Sequence, residues 1–118
     1  MPEPPNWSDV VFDHAVALAA AEGCDAMALQ LRHEATQREM LARAARTDWS
    51  GERLDRFVTT SASLDRQSAA VASRLIATAN AIRTAAMEAR DEQRTREADR
   101  SRYGRQVEQQ RVENQAEI

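Results

Sequence analysis

The triplet Trp49-Ser50-Gly51 is the main interruption in a helical pattern that extends over most of this chain. Prolines, which break helices, occur only at Pro2, Pro4 and Pro5, so a helix is permitted everywhere after them. A bulky aromatic, a small polar residue and a glycine suit a tight reversal between antiparallel helices. The sequence therefore predicts an antiparallel two-helix hairpin whose hinge is Trp49, Ser50 and Gly51.

Composition supports an all-α fold in a chain of 118 residues, which has room for one domain. Aromatic residues make up 4% and there are only three glycines, whereas the frequent residues Ala, Leu, Arg, Glu and Gln are good helix formers. The formal net charge of -3 lacks the basic footprint of a nucleic-acid binder. A single cysteine, Cys24, excludes an internal disulfide.

The expected organisation has three parts, each marked by a change in the apolar pattern. Capping residues indicate where the two helices start: Asn6 or Ser8 is the predicted N-cap of the first helix and Ser50 that of the second. Trp49 is predicted to pack on Leu54 as a hydrophobic staple. The predicted parts are an extended lead over 1–7, a hairpin over 8–90 with helices at about 8–46 and 51–90 and a turn at 47–50, and a charged helical extension or disordered tail over 91–118.

Both predicted helices carry a main apolar face. In the first, small residues such as Ala20, Cys24, Met27 and Ala28 recur at helical spacing. In the second, steps of three and four residues continue for about five heptads. The residues predicted to form the hairpin core are Leu31, Leu54, Phe57, Leu64, Val71, Leu75 and Ile82.

A second apolar stripe occurs on each helix, although a two-helix hairpin needs only one apolar face per helix. Aligned rows of this kind suggest an oligomer or partner interface, and chance scatter in a helix-rich chain is the alternative. A hairpin of this size buries little by itself, which favours the interface. The candidate partner interface comprises Val11, Leu18, Leu29 and Met40 on the first helix, and Val58, Ile76 and Met87 on the second.

Chemical motifs are missing from the sequence. His33-Glu34 begins like a zinc-protease helix, but the position of the second histidine is occupied by Gln37. Cys24 has no neighbouring cysteine partner and is predicted to be a small buried side chain. There is no phosphate-binding loop, nucleophile elbow or paired-acid pocket. We therefore expect no catalytic residue, no metal, no cofactor and no enzymatic activity.

The hinge resembles that of the WxG (ESX, ESAT-6-like) family of type VII secretion. The residues that carry the resemblance are Trp49 and Gly51, set between two long helices in an Ala-rich chain and followed by Phe57. The resemblance covers roughly 8–90. It implies a small non-enzymatic hairpin that pairs with itself or a relative in a four-helix bundle, and that is exported or escorts a larger effector.

One departure concerns the export signal of that family, Tyr-x-x-x-Asp/Glu after the second helix. Here the residue four places after Tyr103 is Val107. In paired systems one member often supplies the signal for both, so this chain could be the partner that lacks a signal.

The leading hypothesis is thus a type VII secretion substrate or co-secreted partner of an effector. The alternative is a self-associating cytosolic adaptor or scaffold with no export role. The expected partner is a second copy, another small hairpin or the helical N-terminus of a toxin, with no nucleic acid and no stable membrane insertion. The N-terminus has no basic region and no long apolar run, so we expect synthesis in the cytoplasm without a signal peptide.

Overall fold

The computed structural model describes residues 1–117 and contains two α-helices, with no strand among those residues. Helix α1 extends over His14–Asp48 and helix α2 over Glu52–Ala116. The prediction of an all-α chain built from two long helices is confirmed. The chain divides into two compact units: a hairpin unit, Ala15–Arg83, and an arm unit, which combines Met1–His14 with Thr84–Ile118.

The first helix begins at His14, later than the expected start near residue 8. The predicted capping residues are used differently. The side chain of Asn6 accepts a hydrogen bond of 2.9 Å from the main-chain N–H of Ser8, two residues on, which forms a local turn instead of a helix cap. Asp13, another residue type that favours the N-cap, directly precedes the helix.

The reversal between the helices is short. The main-chain N–H of Trp49 still donates to the carbonyl of Ala45 at 2.7 Å, and the carbonyl of Gly51 accepts from the N–H of Asp55 at 3.1 Å. Gly51 therefore occupies the N-cap position that was predicted for Ser50. Its φ of +84° is a conformation that residues with a side chain rarely adopt. This explains why a glycine stands at the break.

The interior of the hairpin unit is made of small residues. In the first helix the buried positions repeat at multiples of seven, and in the second they face the same interior. Small side chains at the contact let two helix backbones approach closely, and larger side chains then lie at the edges of the contact. The buried residues are Ala21, Ala28, Ala42, Ser61, Ala72 and Ala79.

The residues of α2 that face the interior differ from the predicted apolar stripe at every second position of that stripe. Leu64 and Val71, predicted to be core residues, are each 44% exposed, whereas their neighbours Asp65 and Ala72 are turned inward. The prediction chose the largest apolar side chains, and at these two positions it was therefore displaced by one residue from the side of α2 that is buried. The remaining predicted core residues are half-buried: Leu31, Leu54, Phe57, Leu75 and Ile82.

The charged segment after residue 90 is helical as far as Ala116. Its residues are good helix formers, and ion pairs one turn apart support it. Arg96 pairs with Glu92 at 3.0 Å and Arg111 with Glu108 at 2.5 Å.

Candidate interaction surfaces

The hinge presents its tryptophan to solvent. Trp49 is 52% exposed, and its indole meets the ring of Phe57 edge-on at a centroid distance of 5.6 Å. The aromatic contact forms with Phe57, one helical turn beyond Leu54, which was the expected staple partner. A shallow groove beside the indole is lined by Ser50 and Arg53. The hinge therefore combines an aromatic surface with a cationic side chain.

Three of the predicted interface residues form an exposed apolar row on α1. Leu18 is 54% exposed, Leu29 70% and Met40 64%, and their spacing of eleven residues keeps them on one side of a helix. Val11, predicted to belong to this row, precedes α1 and is exposed in the N-terminal segment. The α1 row is thus Leu18, Leu29 and Met40.

Sequence reasoning missed a second exposed set on the same helix. Val16, Met27 and Leu41 are more than half exposed, although Met27 was assigned to the main apolar face. Steps of eleven and fourteen residues place them on a common side. Ala20, assigned to the same face, is also exposed, while Cys24 is half-buried. The helical spacing of Val16, Met27 and Leu41 could have indicated this set in the sequence. It was not recognised because the many alanines suggested a different apolar face.

The predicted interface on α2 is less uniform. Val58 and Ile76 are half-buried in the hairpin unit, and Met87, which belongs to the arm unit, is exposed. The exposed large residues of α2 within the hairpin unit are instead Leu64 and Val71. Large apolar side chains thus lie on the outside of both helices of this unit.

Two ion pairs join the helices of the hairpin unit. Arg38 lies at a core-facing position of α1; its Nε donates to Asp65 Oδ1 at 3.0 Å and its Nη2 to Ser68 Oγ at 2.9 Å. Arg83 Nη2 lies 2.5 Å from Asp25 Oδ2. Such pairs at core-facing positions favour one alignment of two helices. Sequence reasoning missed both pairs, although Arg38 interrupts the heptad row that contains Leu31.

In the arm unit, residues 6–10, which belong to no helix or strand, lie against the charged part of α2. We call this segment the arm. The guanidinium of Arg100 donates from Nε to the Asn6 carbonyl at 3.0 Å, from Nη2 to the Ser8 carbonyl at 2.7 Å and from Nη1 to Asp9 Oδ1 at 2.8 Å. Arg96 adds a bond of 3.1 Å to the Ser8 carbonyl.

Gln93 and Tyr103 complete the contact. The side-chain oxygen of Gln93 accepts from the Val10 N–H at 2.8 Å, and its nitrogen donates to Asp9 Oδ1 at 3.0 Å. At the other end, Trp7 meets Tyr103 edge-on at a centroid distance of 5.7 Å. The arm face of α2 is therefore Gln93, Arg96, Arg100 and Tyr103, and it binds main-chain groups, a carboxylate and an aromatic ring.

The contact with the arm face changes the pKa of the Asp9 carboxylate. Hydrogen bonds from Gln93 and then Arg100, together with the positive charge of Arg100, hold the pKa of Asp9 below its ordinary value of 3.8. The charge of Arg96 acts in the same direction, and the slight loss of hydration opposes it. The ionised form of Asp9 is thus the form that the arm face binds.

No cluster of three His, Cys, Asp or Glu side chains that could hold a metal ion occurs within residues 1–117. His33 is exposed. No helix among these residues is long and apolar enough to cross a membrane.

Comparison with known proteins adds no relative: no family model, curated protein or solved structure matches the chain.

Proposed function

We propose that this chain acts without catalysis, through helix–helix association, as a type VII secretion substrate of the WxG type or as the co-secreted partner of a larger effector. The observation that carries the proposal is the position of Trp49 and Gly51 at the break between α1 and α2. The resemblance implies that Trp49 and Gly51 are hinge residues; Trp49 is half-exposed, and Gly51 has a positive φ at the break.

The distribution of apolar residues supports association with a partner. The interior of the hairpin unit is filled by alanine and serine, whereas Leu29, Met40 and Leu64 lie at the surface. Small interior residues bury little area, and burial of apolar area is the main favourable term in folding. A second hairpin that covers the α1 row would bury additional apolar surface, as in a four-helix bundle. The partner is a second copy or a related hairpin.

Export in this proposal depends on the partner. Tyr103 has Val107 four places later, so the Tyr-x-x-x-Asp/Glu pattern is incomplete. Tyr103 is also half-buried beneath Trp7. In the export hypothesis a partner other than a second copy therefore carries the signal, and this chain travels with it.

A second candidate function is a self-associating cytosolic adaptor. The same exposed rows favour it, because they serve a homodimer equally well. The two candidates differ in location: the adaptor stays in the cell, while the secretion partner appears outside it together with its escort.

The experiment compares the culture filtrate and the cell lysate of a bacterium with an active type VII system. The tagged chain is expressed alone and with the product of its neighbouring gene, in the parent strain and in a strain that lacks the secretion ATPase. We expect the chain in the filtrate of the parent strain only when the partner is present. A cytosolic protein in the same filtrates controls for lysis. Retention in every strain would favour the adaptor.

The hinge is tested in the same assay with Trp49→Ala, and Trp7→Ala is the matched control because Trp7 lies outside the hinge. Loss of export for the first variant alone, with both present at equal levels in the lysate, is expected. Equal export of the two variants would contradict the proposed role of Trp49 in a WxG-type hinge.

A further inference from the structure

We infer that the arm face of α2 is a binding site for a non-helical acidic peptide, that the arm is its resident ligand, and that binding of the arm keeps the surrounding turns of α2 helical. The inference is independent of the secretion proposal, because it concerns contacts within the arm unit.

The polar contacts are those of a peptide site. A segment outside helices and strands leaves most of its main-chain N–H and C=O groups without partners from its own secondary structure. Here the carbonyls of Asn6 and Ser8 and the N–H of Val10 are bonded by side chains of α2. Arg100 supplies two of these main-chain bonds, from Nε to the Asn6 carbonyl and from Nη2 to the Ser8 carbonyl, and its third donor, Nη1, bonds the carboxylate of Asp9. The planar, rigid fork of arginine suits such a set of acceptors.

Selectivity for an acidic peptide comes from Asp9. Its Oδ1 atom receives hydrogen bonds from both Gln93 and Arg100, at 3.0 and 2.8 Å. Charge-assisted hydrogen bonds are stronger than neutral ones. Trp7, two residues earlier, adds the ring contact with Tyr103. The preferred ligand therefore has an aromatic residue, one spacer and then an aspartate.

The arm also covers the helix. The side chains of Arg96 and Arg100 are only 22% and 21% exposed. In sequence the segment after residue 90 has few apolar residues, and an isolated helix of such composition is marginal in water. Because the arm contacts four residues spread over about three successive turns from Gln93 to Tyr103, docking of the arm stabilises those turns. Release of the arm should let them fray.

Hydrogen exchange of the full-length chain tests the coupling. Asp9→Asn weakens the contact from the arm side and leaves α2 unchanged in sequence, while Arg100→Ala weakens it from the helix side. Matched controls are Glu3→Gln, which removes a charge before the arm, and Arg94→Ala, which removes an arginine of α2 that pairs with Asp91. We expect amides from Gln93 to Tyr103 to exchange about tenfold faster in the first two variants.

Binding in trans is tested with a fluorescent peptide of residues 1–12, whose anisotropy is followed as protein is added. The resident arm competes at a high effective concentration, so the peptide should bind the Asp9→Asn chain more tightly than the wild-type chain. Adding Arg100→Ala to that chain should abolish binding. Unchanged exchange in both test variants, or peptide binding that ignores Arg100→Ala, would overturn the inference.

Discussion

Arg100 Nη1 lies 2.8 Å from Asp9 Oδ1, although 91 positions separate the two residues in the chain. This ion pair joins the arm to a part of α2 that has few apolar residues. It also shows how a segment dominated by arginine and acids forms tertiary structure: its arginines bind the main chain and a carboxylate of the arm.

Acid should release the arm. The pKa of Asp9 is lowered in the folded state, so its contribution is complete above the ordinary value of 3.8 and is lost as the pH falls through the lowered pKa. The fluorescence of Trp7, followed in a Trp49→Phe background, should change in that acidic range.

The Asp9→Asn variant is the control for this titration, because its side chain has no charge to lose. Its Trp7 signal should already resemble that of the released arm near neutral pH. An acid transition of the same size and midpoint in both chains would show that another group controls the arm.

Replacing Gly51 by alanine should destabilise the hinge by about 1–2 kcal/mol, because a side chain is strained at a φ of +84° even though nothing lies within 4 Å of the added atom. Gly23→Ala is the matched control. Gly23 lies within α1, also with nothing within 4 Å, and alanine there should stabilise by about 1 kcal/mol. Urea unfolding measures both; effects of the same sign would contradict the assignment.

The interior of the hairpin unit should reject a larger side chain at Ala72. That residue is 1% exposed, and overpacking a core typically costs about 1–3 kcal/mol. Ala70→Leu, on the exposed side of the same helix, should change the unfolding free energy by less than about 0.5 kcal/mol. Equal effects of Ala72→Leu and Ala70→Leu would place the buried line of α2 elsewhere.

The pair of Arg38 and Asp65 should be energetically coupled across the two helices. Both side chains are about one third exposed, so a double-mutant cycle with alanine should give about 0.5–1 kcal/mol. The largely exposed pair Arg56 and Glu52, one turn apart on α2, serves as the comparison. Its coupling should stay below about 0.5 kcal/mol. A coupling of zero for Arg38 and Asp65 would remove their proposed part in helix alignment.

The two-helix architecture could be predicted because it follows from local properties. Proline is confined to the first five residues, and glycine marks the break where a positive φ is needed. The line of burial on α2 could be predicted only in part. Side-chain size favoured Leu64 and Val71, but close approach of the helices selects small residues such as Ala72.

The arm and the inter-helix ion pairs could not be predicted from sequence pattern. Asn6, Ser8 and Asp9 are residues that usually cap helices, and nothing near them in sequence indicates a contact with Arg100. Charged residues such as Arg38 and Asp65 normally face solvent. Their inward position depends on a partner in the other helix, which periodicity within one helix does not reveal.

The solution mass of the chain over a concentration series, measured by light scattering, tests most directly whether the α1 row is an association surface. We predict that the wild-type mass rises to twice the chain mass of 13.2 kDa, and that a Leu29→Gln, Met40→Gln variant stays at the mass of one chain. A wild-type chain that remains a monodisperse, cooperatively unfolding monomer at every concentration would contradict the account.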